Sequence, residues 1–293
     1  MVPSFGKYRG TWALASAVSV LIGLAGPLAS AEDFKPKFGP DAITIQQSHG
    51  YFREHDAPHY WALSPYYVPL FTDSACSVAA IAMLVNALRG VPTNSVDPLV
   101  TQQALLDKVA DARWSKETAR DGAGVTWDEF VADVGASLDA YGLAAEIDTF
   151  KPPDASPASL AQLRRVLAEN ELSERDIVLV YFDQGVLTGD WDGPHISPIA
   201  SYDADQRRAL VMDVDRQWYV PYWSTEEKLL EAMLRPAPVN MGTFGGADRR
   251  PGSGQAQERS VKRGSPPNFG LSGRPGATSS GVARAGERGP AAR

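Results

Sequence analysis

The chain has a single cysteine, Cys76, and four histidines, His49, His55, His59 and His195. A thiol works as a nucleophile only as the thiolate and only with a base in reach. Cys76 heads the run Cys76-Ser-Val-Ala-Ala-Ile-Ala-Met-Leu-Val-Asn-Ala-Leu88, apolar almost all round and followed by Arg89-Gly90-Val91-Pro92. That pattern predicts a central, buried helix with Gly and Pro as its stop signals. Thr72-Asp73-Ser74 just ahead offers side-chain oxygens for the N-cap. The thiol therefore falls at the first turn, where free N–H groups and the helix dipole favour a thiolate. A cysteine that only fills a core has no need of that end of a helix.

The base that such a thiol needs is best supplied by His195. It follows the turn sequence Asp192-Gly193-Pro194 and opens the first of two predicted strands, 196–202 and 208–214. Asp203-Ala-Asp-Gln-Arg207 between them reads as the turn of a hairpin. Folding that hairpin about Asp205 puts His195 across from residues 213–216. An aspartate there can accept from the imidazole and fix its tautomer. Asp213 and Asp215 both qualify, on one side of the strand by alternation, and periodicity does not choose between them. His49, His55 and His59 lie in a polar stretch and are expected at the surface. Their spacing matches no familiar metal site, so no metal ligands are assigned.

These groups need a scaffold. Helical spacing recurs at 100–113, 126–142 and 158–170, while 32–60 reads as a mixed surface segment. From 177 the pattern changes: 177–182 is β-branched and aromatic, a buried strand. Residues 218–223 are extended and aromatic, and Ser224-Thr225-Glu226-Glu227 caps a last helix through Met233. Helices first and strands second predict an α+β fold, with a helical N-terminal lobe and an antiparallel β-sheet C-terminal lobe.

Both ends of the chain stand apart. Lys7 and Arg9, an apolar run from Trp12 to Leu24, and Ala29-Ser30-Ala31 have the build of a signal peptide cleaved after Ala31. The run is too short to span a bilayer, and no membrane span is expected once it is removed. Residues 245–293 are rich in Gly, Pro, Ser, Ala and Arg and are read as a disordered basic tail of net charge +6. The leader carries +2, and subtracting both from the whole-chain −7 leaves −15 on the catalytic domain, residues 32–244. An acidic domain repels phosphate, so nucleic acid is not an expected partner. One cysteine excludes an intramolecular disulfide in a protein expected to be exported, periplasmic or secreted.

Beyond these physical arguments, two blocks resemble the phytochelatin synthase family. Tyr60-Trp-Ala-Leu-Ser-Pro-Tyr-Tyr67, Ala75-Cys76 and Leu84-Val-Asn-Ala-Leu88 resemble the block around that family's nucleophile. Gly193-Pro-His-Ile-Ser-Pro-Ile199, Tyr202, Ala209-Leu-Val-Met-Asp-Val214, Arg216, Tyr219, Pro221 and Trp223 resemble its His and Asp block. The resemblance spans about residues 50–235. It implies a papain-like cysteine enzyme working through Cys76, His195 and Asp213, with Arg216 and Tyr219 binding substrate. The implied reaction is γ-glutamylcysteinyl transfer from glutathione, or hydrolysis releasing glycine, through a thioester. Heavy-metal ions such as cadmium and zinc would act as activators or substrate complexes, with no tightly bound cofactor. Glutathione or a related thiol peptide is the implied partner, and a homodimer is an option. Alternatives are a papain-like peptidase on another peptide and a non-catalytic member binding thiol peptides or metal. One departure concerns the oxyanion site: where the family has Gln six residues before its Cys, this chain has Leu70.

Overall fold

The computed structural model describes residues 36–174 and 176–235, together with the strand backbones of 258–263 and 284–286. The predicted signal segment, 1–31, lies outside the described residues. A short strand β1 (Ile43–Thr44) is followed by two small helices, α1 (Tyr51–Glu54) and α2 (Pro58–Leu63). The central helix α3 (Cys76–Arg89) comes next, then α4 (Gln102–Val109), α5 (Ala112–Glu117) and α6 (Trp127–Ala140). Strand β2 (Ala145–Phe150) and helix α7 (Pro157–Glu171) lead into β3 (Asp176–Asp183) and α8 (Gln184–Thr188). The chain continues with β4 (Pro194–Asp203), β5 (Arg208–Val211), β6 (Tyr222–Thr225) and α9 (Glu226–Leu234). Mixed helices and a largely antiparallel sheet agree with the α+β expectation.

Local chemistry explains most boundaries. Helix α3 ends at Gly90, whose φ of 73° is cheap only for glycine. Helix α6 opens with a capping box between Thr126 and Glu129, and α9 with the Thr225 hydroxyl accepting from Lys228 N–H. The stretch 100–113 is not one helix. Ala110 adopts a left-handed conformation and Asp111 caps a new helix, α5.

Two further strands, β7 (Glu258–Arg263) and β8 (Arg284–Gly286), complete the sheet, whose order is β1-β6-β5-β4-β3-β8-β7-β2. Strand β3 is buried along its whole length because both faces are covered. Ile177, Leu179 and Tyr181 face a core shared with α3 and α6, through Ile81, Leu84 and Phe130. Val178, Val180 and Phe182 face a second core built on Leu163 and Leu167 of α7 and Leu229 of α9. A largely apolar helix and a largely apolar strand thus occupy the middle of the molecule, where alternation and amphipathicity are not required.

Four expectations need correction. The sequence reading put no regular structure in 245–293, yet β7 pairs with both β2 and β3, and β8 pairs with β7 and β3. Edge backbone groups of β2 and β3 gain partners this way. Other residues of that stretch lie outside the described residues. Second, residues 32–60 contribute a strand and helices rather than a surface wrap alone. Third, His59 is buried, with Asn170 Nδ2 3.4 Å from its Nε2, whereas His49 and His55 are exposed as expected, His55 stacked on Tyr51 at 4.1 Å. Fourth, β5 stops at Val211 instead of continuing to 214. A bulge between Ile199 and Ser201 shifts the hairpin register, and the chain leaves the ladder before Asp213.

Candidate active site

Cys76 is the first residue of α3, half-buried, with Ala75 at the N-cap position. No side chain caps the helix. Thr72 and Ser74, the expected caps, turn instead to a neighbouring loop: Thr72 Oγ1 donates to the Thr118 carbonyl at 2.6 Å and Ser74 Oγ to that of Gly122 at 2.5 Å. The opening N–H groups of α3 consequently receive no side-chain cap at the thiol. Gly122 is required where it is, since a Cβ there would stand 2.3 Å from the Glu117 carbonyl oxygen.

His195 lies near the start of β4, buried against the edge of Phe182 at a centroid distance of 5.6 Å. Its Nε2 is 2.8 Å from Asp213 Oδ1, and the ring and Cys76 line the same cavity. With Nε2 engaged by the carboxylate, Nδ1 is the nitrogen left for sulfur. Burial opposes a charged ring, but the Asp213 charge, its hydrogen bond and the contact with Cys76 outweigh it. The imidazole is pushed up to about 10.

Asp213 is wholly buried and accepts from every side. Gln184 Nε2 donates to Oδ2 at 2.9 Å and the Tyr222 hydroxyl to the same oxygen at 3.1 Å, while the Asp215 N–H donates to Oδ1 at 2.9 Å. The choice left open between two aspartates is therefore decided by geometry. Asp213 meets the imidazole, and Asp215 lines the cavity outside. Burial, then the neighbouring carboxylates Asp213 and Asp73, push Asp215 up to about 6 against the pull of His195 and Lys37. The expectation that both aspartates point one way from a strand fails because neither is in one.

Thiol and imidazole open on a cavity of about 450 Å³. Its walls come from the segment 70–76, the loop 122–125, the ends of β3 and β4, and the segment 215–219. Tyr219, expected to bind substrate, is one of its lining residues, and its hydroxyl donates to Asp190 Oδ2 at 2.9 Å. Arg216 is not among them. Its guanidinium lies 4.1 Å from the Tyr67 ring centroid and donates to the Tyr67 carbonyl at 2.8 Å. Leu70 lines the cavity near the thiol, tied by its N–H to the Val214 carbonyl at 2.9 Å. A thiol at a helix start, an imidazole held by a buried carboxylate and a cavity lined by both are an arrangement that could carry out acyl transfer.

The family model for phytochelatin synthase matches residues 42–242, more than half of the chain. The chain belongs to the phytochelatin synthase family. Two curated relatives from Arabidopsis thaliana agree. Glutathione gamma-glutamylcysteinyltransferase 1 is 26% identical over 179 residues, 59% of this chain and 33% of its own. Glutathione gamma-glutamylcysteinyltransferase 2 is 24% identical over 179 residues, 59% of this chain and 36% of its own. The chain spans about a third of the length of either relative. Within the region that matches the phytochelatin synthase model, Gln184 and Tyr222 are site residues that sequence reasoning missed. Gln184 could have been suspected as a polar residue directly after an apolar strand. Tyr222 sits in an aromatic stretch with no distinguishing mark.

Proposed function

We propose that this phytochelatin synthase family member is a papain-like acyltransferase that cleaves the Cys–Gly bond of glutathione through a thioester on Cys76. The observation that supports this most is Cys76 at the head of α3 sharing one cavity with His195, whose ring is held by Asp213. The Cys76 thiolate attacks the amide carbonyl, and the uncapped N–H groups at the head of α3 stabilise the oxyanion in place of a glutamine at Leu70. His195 Nδ1 gives its proton to the glycine nitrogen, the C–N bond breaks and glycine leaves. The γ-glutamylcysteinyl thioester then passes to water, yielding γ-glutamylcysteine, or to the α-amine of a second glutathione, yielding a phytochelatin. His195 takes the proton from either acceptor. Cadmium or zinc enters on the substrate side, as thiolate complexes of glutathione.

Incubation of the full chain with glutathione, with and without cadmium, is expected to release free glycine and to add a γ-glutamylcysteinyl mass to Cys76. Neither glycine nor adduct in both conditions would overturn the reading. Leu70 is the residue that favours the alternative of a thiol-peptide-binding member without turnover, and that pattern of results would support it. We also propose export, on the positive start, short apolar run and small-residue site of 1–31. The secreted or periplasmic protein should then begin at Glu32 by intact mass, and an intact leader on purified protein would refute it.

A further inference from the structure

We infer that Lys37 is a specificity-determining residue that holds a carboxylate of the peptide substrate in this cavity. The inference rests on the glutathione reading above. A γ-glutamylcysteinylglycine carries two carboxylates and one ammonium, and it must enter walls that include Asp73, Asp190 and Asp215. Such an anion needs a cation at the wall. Arg216, the expected one, stands outside and is stacked on Tyr67. Among the described residues that line the cavity, Lys37 is the one lysine or arginine.

Lys37 is built into position. Its Nζ donates to Asp190 Oδ2 at 2.8 Å and lies 4.9 Å from the ring centroids of both Trp218 and Tyr219. The next residue, Phe38, packs against Tyr219 at 5.9 Å and against Tyr222 at 5.6 Å. Gly39 N–H then closes on the Thr188 carbonyl at 2.5 Å. The segment is therefore strapped across the tyrosines behind the site, and Tyr222 is the one that bonds Asp213. An ammonium has three donors, so Asp190 can orient Lys37 while another donor meets a substrate oxygen. Its side chain is 41% exposed, so it reaches solvent and an incoming ligand. Lys37 precedes residue 42, where the family match begins, so the contact lies outside the matched region.

The test is equilibrium binding to full-length Cys76→Ala protein, which binds without turnover. Three ligands are compared: glutathione, its glycine carboxamide and its γ-glutamyl α-carboxamide. One of the two amides is expected to bind about tenfold more weakly than glutathione, the size of one partly exposed charge-assisted hydrogen bond. Lys37→Met should close that gap, and Lys37→Arg, which keeps the charge, should retain it. No gap with Lys37 in place, or an equal gap in Lys37→Met, overturns the inference while glutathione binding leaves the substrate reading standing. Failure of every form to bind glutathione or either amide overturns both.

Discussion

Cys76→Ala is expected to abolish glycine release from glutathione, by about 10⁴-fold or more, and to remove any covalent adduct. The chain has no second cysteine to take over the attack. Alanine is the best helix former and suits the first position of α3, so the fold should persist. The imidazole of His195 would still be held by Asp213, but with no sulfur to deprotonate. The loss should thus appear in kcat while glutathione still binds. Cys76→Ser keeps a hydroxyl of similar shape and should be nearly as inactive, because an alcohol gives up its proton far less readily than a thiol. Glycine quantified by mass spectrometry, with intact protein mass for the adduct, separates the outcomes. Release from Cys76→Ala at the wild-type rate would mean that another group performs the chemistry.

The second large effect is expected from Asp213→Asn, a loss in kcat of roughly 10²–10⁴-fold with KM little changed. Its reason is tautomeric. Oδ2 receives two donors, from Gln184 and Tyr222, and burial followed by the Asp213 charge holds the tyrosine protonated, well above its ordinary range. The asparagine carbonyl oxygen will take that side. Its NH₂ must then face His195 Nε2 and the Asp215 N–H, where an acceptor now stands. Nε2 becomes the acceptor, the ring proton moves to Nδ1, and the nitrogen beside the thiol can no longer remove its proton. Crowding an NH₂ against the Asp215 N–H should also cost about 1–3 kcal/mol of stability.

The pH dependence follows from the same contact. His195 in the fold titrates at about 10, above its ordinary value of 6.5. Its protonation therefore contributes stability that is fully present below about 6.5 and is lost as pH rises towards 10. The alkaline limb of kcat/KM should fall near 10 in the wild type and move to lower pH in Asp213→Asn, where the negative charge is gone. An alkaline limb unchanged by Asp213→Asn would sink the assignment of Asp213 as the partner of His195.

Local sequence determined a good part of this. A lone cysteine at the head of an all-apolar run placed the thiol on a helix start, because burial and stop signals are written in adjacent residues. The hairpin around Asp205 and the caps at Thr225 were legible for the same reason: each depends on a few neighbours along the chain. His195 followed from the hairpin. Asp213, by contrast, was chosen over Asp215 only through the family resemblance, because residue spacing assumes a regular ladder. The bulge near Ile199 and the end of β5 at Val211 break that ladder. Burial of His59 by Asn170, support of Asp213 by Gln184 and Tyr222, and the displacement of Arg216 onto Tyr67 were equally invisible. Apart from Tyr222, which is 9 positions from Asp213, each joins residues far apart in sequence, 149 positions in the last case. The same holds for Lys37 and Asp190, which are 153 positions apart. Periodicity reports which residues are buried or capped, since those properties depend on nearby backbone. Which polar groups meet in a cavity depends on how distant segments dock, and for this protein only the tertiary structure decides that.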